Sequence, residues 1–196
     1  MTKLNNPGAR ARPSSHQDVD FNLIEPIIQE ICQVSGTPGL AVGVFDRDGK
    51  IFDSYHGHRD KRLPPDAETV FNLGSMCKGF TAFAVGCLVD EGKLHWDEPI
   101  GNVVEDLRET ANGKFTIREL LSHRTGLCRS DALFIGSDNQ LLLTKAQGDD
   151  IFASLAASRP PRQDFIYNNF GYHAVGRAIE KSLFHGLWQF SCPAHL

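Results

Sequence analysis

Phe71-Asn-Leu-Gly-Ser-Met-Cys-Lys-Gly-Phe-Thr-Ala82 is the stretch on which the reading of this chain turns. An apolar, strand-like lead-in and a glycine deliver Ser75 to the start of a helix expected over about 75–91, with Gly92 as its stop. Residues three apart on a helix share a face, so Lys78 stands one turn from Ser75 and within reach of its hydroxyl. A serine is a weak nucleophile until its proton is taken, and a lysine drawn into a pocket can take it. The helix start adds unpaired N–H groups suited to a developing oxyanion. The spacing alone also fits a capping serine followed by a solvated lysine. The element junction before Ser75 and the apolar residues after Lys78 argue for the reactive arrangement. Along the helix, Cys77, Phe80, Ala84, Cys87 and Leu88 recur at helical spacing and are expected to form its buried stripe. Cys77 is accordingly expected as a small buried hydrophobe, not a nucleophile, since no base adjoins it.

Upstream, Phe21, Leu23, Ile24, Ile27, Ile28 and Ile31 predict an amphipathic helix that ends before Gly36. Pro26 must sit in its first turn or kink it, which argues for a start later than Asp18 or Asp20. Leu40–Phe45 and Lys50–Tyr55, joined by Asp46-Arg-Asp-Gly49, predict a β-hairpin. Downstream, 94–104 reads as a loop with Pro99. Thr116-Ile-Arg-Glu119 is a capping box opening a short helix over 117–122. The segment to about Gly148 has no clear pattern. Helices are expected over 149–158, stopped by Pro160-Pro161, and over 171–181, with Val175, Ala178 and Ile179 on one side. One hairpin among helices makes the class α+β.

The chain has 196 residues, 41% hydrophobic and 22% charged, enough for one ordinary domain with a sizeable core and unlike disordered or fibrous chains. A net charge of −4 argues against a nucleic-acid binder. No apolar run approaches the roughly 20 residues of a membrane helix, so no membrane span is expected. Residues 1–19 lack the apolar core of a secretory signal and read as a disordered tail, with Arg10 and Arg12 solvated. The five cysteines are widely spaced, with no Cys-x-x-Cys pair. They read as free thiols in a reducing, cytoplasmic setting, and no metal site is expected of them. His56 and His58 follow a strand without an obvious carboxylate partner, so they too are read as structural.

Tyr167-Asn-Asn169 supplies a second chemical group. A phenol near a lysine ammonium loses its proton more readily and can pass one to a leaving group. The Asn169 amide can donate and accept, and suits a substrate carbonyl or the lysine ammonium. By itself the segment also fits a loop tyrosine ahead of a helix capped by Asn169.

Taken in order, Ser75-x-x-Lys78, Leu121-Ser-His-Arg-Thr-Gly-Leu127 and Tyr167-Asn-Asn-Phe-Gly-Tyr172 resemble the serine β-lactamase and penicillin-binding-protein superfamily. The likeness is greatest to its class C-like branch of esterases, D-aminopeptidases and acyltransferases. Thr37–Val44, Glu91–Leu94 with Asp97-x-Pro99, and Gly171–Glu180 extend it over about 20–181. The resemblance implies a transpeptidase-like fold and an acyl-enzyme on Ser75. It implies that Lys78 and Tyr167 share the acid and base work and that Asn169 holds the substrate. Which of Lys78 and Tyr167 takes the first proton stays open. The Ser75 N–H would be half of the oxyanion hole, and His123 would be structural. The expected function is a serine hydrolase or acyltransferase acting on a small ester, amide or thioester, with no cofactor.

The family's third motif, a Lys or His before a small residue and Gly on a later strand, is not matched. His185-Gly186 follows the last helix too soon to serve. Residues 182–196 cease to resemble the family and read as a divergent tail left by a truncation, retained intron or frameshift. The fold is therefore expected to be incomplete, lacking later strands of its sheet. A hairpin with an open edge is marginal alone. The chain is thus expected to fold poorly or to need a second chain to complete the sheet. The alternative function is an inactive fragment.

Overall fold

The computed structural model describes residues 20–133 and 142–184, without the side chains of Asn22 and Phe184. The tail expected at 1–19 lies outside the described residues, as does 185–196 of the tail expected at 182–196, whereas 182–184 continue the last helix. The chain divides into two compact units, one ending at Asn72 and the other beginning at Leu73.

In the first unit a single helical turn, Phe21–Leu23, precedes α1, Glu25–Ser35. Pro26 lies in the first turn of α1, where its missing N–H leaves no bond unmade, and so the helix starts late. Gly36 ends it in the left-handed conformation at φ 65°, and the Thr37 N–H donates to the Cys32 carbonyl at 3.1 Å. Strands β1, Gly39–Asp46, and β2, Gly49–Gly57, form an antiparallel pair. The Asp46 carboxylate closes the turn by accepting the N–H groups of Asp48 and Gly49 at 2.8 and 3.0 Å. A bulge follows Val44, so that Val44 faces Phe52 while Phe45 faces Lys50. The Phe21 and Phe52 rings stack at 4.8 Å.

The α1 stripe is only partly used. Ile28 is buried, whereas Leu23, Ile27 and Ile31 are exposed, as is Phe45 of β1 at 68%. Among the described residues the sheet has two strands, so each has one unpaired edge. His56 lies in β2 and bonds Ser54 Oγ at 3.0 Å. It also has a carboxylate neighbour that the sequence did not suggest, Glu25 at 3.3 Å. A pair this thinly covered opens readily. Amides of residues 39–57 are expected to exchange hydrogen well before those at the centre of the second unit. Equal protection in an exchange experiment would show the hairpin to be covered.

The second unit is helical: α2, Cys77–Asp90; α3, Ile100–Val103; α4, Ile117–Leu121; α5, Lys145–Ser154; and α6, Asn169–Phe184. Helix α6 packs against α2, α3, α4 and α5 and brings Phe170, Ala174, Val175 and Ala178 into the core. The Thr116–Glu119 capping box forms as read. Helix α5 starts at Lys145 and ends at Ser154, not 149–158. Its start is set by a second capping box, Thr144 with Gln147. Its end is set by Leu155 turning extended, ahead of an isolated bridge between Ala157 and Leu127. Buried Asn112 gathers the carbonyls this ending frees, donating to Phe152 at 2.7 Å and Leu155 at 2.9 Å. Residues 94–104 hold the short helix α3 as well as a loop.

The stripe expected on α2 is displaced. Cys77, Phe80 and Cys87 are exposed and Ala84 is half-buried. Of the five residues only Leu88 is buried, together with Val85. Cys77 is thus not the buried hydrophobe expected. Helix α2 carries apolar residues on every side, so periodicity alone gives no unique inward face. The outward face leaves Phe80 at 68% and Phe83 at 73% exposure.

Candidate active site

Gly74 adopts φ 51°, a conformation that glycine takes without strain, just before Ser75. Ser75 sits in a helical turn, Gly74–Met76, that runs directly into α2. Lys78 is therefore one turn on, and its Nζ donates to Ser75 Oγ at 3.2 Å. The Tyr167 hydroxyl donates to the same oxygen at 2.7 Å. The lysine nitrogen is 5.0 Å from the centre of the Tyr167 ring and 5.3 Å from that of Tyr172. The structure thus brings three of the four residues singled out in the sequence to one oxygen atom.

Tyr167 is held on both sides by His123. The His123 carbonyl accepts the Ile166 N–H at 2.9 Å, and His123 Nδ1 accepts the Asn168 N–H at 3.1 Å. The two rings lie 4.4 Å apart. Because Nδ1 accepts, the ring proton belongs on Nε2. Burial and the Lys78 charge hold His123 below the usual histidine range, which keeps that neutral form. The residue that caps α6 is Asn168, 2% exposed. Its Oδ1 accepts the Gly171 N–H at 2.9 Å while its Nδ2 donates to the Cys128 carbonyl at 2.7 Å. The cap role considered for Asn169 therefore falls one residue earlier. Asn169 is left half-buried, donating from Nδ2 to Asp131 Oδ1 at 2.8 Å.

Burial pushes the Tyr167 phenol up, but hydrogen bonding with Lys78 and Ser75 and the Lys78 charge outweigh it. The net direction is below an ordinary tyrosine. Burial likewise pushes Asp131 up and is outweighed by its bonds to Arg129 and Asn169, so the group lies below the usual carboxylate range. Arg129 donates to Asp131 Oδ2 at 2.7 and 3.1 Å, and its guanidinium carbon is 5.7 Å from the Tyr167 ring centre. Asp131, Arg129 and Tyr172 were not picked out from the sequence. Tyr172 lay within a quoted motif; Asp131 and Arg129 carried no spacing signal.

Among the described residues no group of three or more His, Cys, Asp or Glu could hold a metal ion. No helix there is long and apolar enough to cross a membrane. A cavity of about 720 Å³ bounded by Lys93, Glu98, Glu105, Arg108 and Lys181 is lined by none of the site residues.

The α+β architecture, with the serine at a helix start and the tyrosine ahead of a second helix, is that of the β-lactamase and transpeptidase fold. The chain belongs to the beta-lactamase family, whose model matches residues 24–187. An unguisins hydrolase of Aspergillus campestris (strain IBT 28561) is 29% identical over 154 residues, covering 73% of this chain and 28% of the relative. Penicillin-binding protein 4 of Amycolatopsis lactamdurans is 32% identical over 149 residues, covering 73% of this chain and 38% of the relative. The octameric penicillin-binding protein homologue from Pyrococcus abyssi superposes with a TM-score of 0.73 at 28% identity, covering 84% of this chain and 40% of that one. The chain thus spans 28% and 38% of the length of these two curated relatives.

Proposed function

We propose that this chain carries the nucleophile of a serine hydrolase or acyltransferase that acts on an ester, amide or thioester through an acyl-enzyme on Ser75. The convergence of Lys78 Nζ and the Tyr167 hydroxyl on Ser75 Oγ carries this reading. Attack needs one of the two in its basic form, and the lowered Tyr167 phenol favours the phenolate. The phenolate takes the Ser75 proton as Oγ bonds to the substrate carbonyl carbon. The negative charge moves to the carbonyl oxygen, beside the Ser75 N–H. When the bond to the leaving group breaks, that proton passes to the leaving atom. Water or an acceptor nucleophile then repeats the sequence in reverse and frees Ser75. The Lys78 ammonium stabilises the phenolate throughout. The name of the Aspergillus relative supports hydrolysis as the outcome.

The test is intact mass after exposure to a fluorophosphonate, with Ser75→Ala alongside. One adduct per chain, absent from the variant, is expected. A soluble, folded chain that forms no adduct would leave only the ancestry. That alternative, an inactive fragment, is favoured by a sheet of two strands among the described residues and by exposed Phe45. We further propose that a second chain covers this edge; the Pyrococcus homologue is an octamer by its description. A size-exclusion profile showing only active monomer would exclude that arrangement.

A further inference from the structure

Among the described residues, the non-glycine residues with a left-handed backbone are His123 at φ 57° and Arg162 at φ 70°. A Cβ strains that conformation, so it lasts only where the surroundings impose it. Both residues lie on one pair of laced segments. The N–H groups of Ser158, Arg162 and Ile166 donate to the carbonyls of Gly126, Arg124 and His123 at 2.8, 2.8 and 2.9 Å. His123 holds Tyr167 directly, and Arg162 stands five residues before Tyr167 on the facing segment. The Arg162 carbonyl accepts from the Arg124 guanidinium, and Arg162 Nε donates to Glu119 Oε1. Glu119 is a fixed anchor: it is buried, and its Oε2 accepts the Thr116 N–H at 2.9 Å in the capping box of α4. Glycine would meet the backbone requirement at 162 without strain, but it has no side chain to reach Glu119. What the arginine adds is the charge-assisted bridge.

We propose that Arg162 is a positioning residue, whose bridge to Glu119 ties the loop carrying Tyr167 to the start of α4 and so holds the phenol against Ser75 for acylation. This rests on the acyl-enzyme reading of Ser75. Arg162 acts on the phenol through the backbone of 163–166. A displacement of a reacting group by a fraction of an ångström is enough to slow the chemistry while the core stays packed.

The test follows the rate of fluorophosphonate labelling at Ser75 in the full chain, with Arg162→Ala and Arg162→Gly alongside. Both variants lose the bridge, but only Arg162→Gly also relieves the backbone. Arg162→Gly is therefore expected to melt at a higher temperature than Arg162→Ala. Labelling is expected to fall about tenfold in both alike. The midpoint of its rise with pH should also move up. A phenol that drifts from Lys78 keeps the raising effect of burial and loses the lowering effect of the ammonium. Glu119→Gln keeps an acceptor for the Thr116 N–H but meets the guanidinium with an amide nitrogen, and should slow labelling by the same factor. Combining it with Arg162→Ala should slow labelling no further. Arg162→Lys, which keeps a donor, should restore much of the rate. A merely structural role would make rate follow stability, with Arg162→Gly labelling faster than Arg162→Ala at an unmoved midpoint. That outcome, unchanged labelling in both variants, or additive effects in the double variant would each overturn the proposal. Intact mass separates the failures. An unaltered chain that labels, with variants that label as fast, removes the role of Arg162 alone. A folded, unaltered chain that takes no adduct removes the acyl-enzyme reading and Arg162 with it.

Discussion

Tyr167→Phe is expected to slow acylation of Ser75 by roughly a hundred- to ten-thousand-fold, the range ordinarily lost with a positioned general base. The substitution deletes one oxygen and keeps the ring, so the packing against His123 survives. In the unaltered chain the acylation rate should rise with pH as the phenol ionises. Its midpoint should fall below the ordinary tyrosine value of about 10, because Lys78 favours the phenolate over the opposing effect of burial. Lys78→Met removes that influence, so the rise should move to higher pH and the rate at neutral pH should fall. Groups that work as a unit are not additive, so the double variant should be little worse than the poorer single one. Rates of fluorophosphonate adduct formation across pH would check all of this. A Tyr167→Phe chain that labels as fast as the unaltered one would make Lys78 the base.

Phe152→Ala is expected to destabilise the helical unit by about 3–5 kcal/mol, a large share of the roughly 5–15 kcal/mol of an ordinary domain. Phe152 is 0% exposed, and its carbonyl is held by buried Asn112. The deletion would leave a cavity at the end of α5 that cannot easily collapse. Phe80→Ala, on the outward face of α2, should change stability by no more than about 0.5 kcal/mol. Urea titration followed by circular dichroism would measure both. Equal losses would show that the α2 face is covered in solution.

Local chemistry was legible in the sequence. Pro26 and Gly36 bounded a helix, Asp46 closed a turn, and Thr116 with Glu119 opened α4, because each signal acts within a few residues. The pairing of Ser75 with Lys78 was readable for the same reason. Tyr167 meets Ser75 across 92 residues, and only a resemblance linked them. The Thr144–Gln147 box was present but unread, because it lies in the stretch up to Gly148 where no clear pattern was found. The inward face of α2 was undetermined, because a helix apolar all round has no phase. Asp131 was out of reach, since nothing in its neighbourhood announces a partner 38 residues away.

The backbone N–H groups on either side of Tyr167, those of Ile166 and Asn168, donate to the His123 carbonyl and to its ring Nδ1. These bonds confine the loop before any substrate arrives, so the conformational entropy of placing the phenol is lost once, at folding, and not at every turnover. On the proposed acyl-enzyme reading, reactivity at Ser75 and the integrity of the His123 turn are then one property. A substitution that loosens that turn would slow adduct formation at Ser75 before it lowers stability.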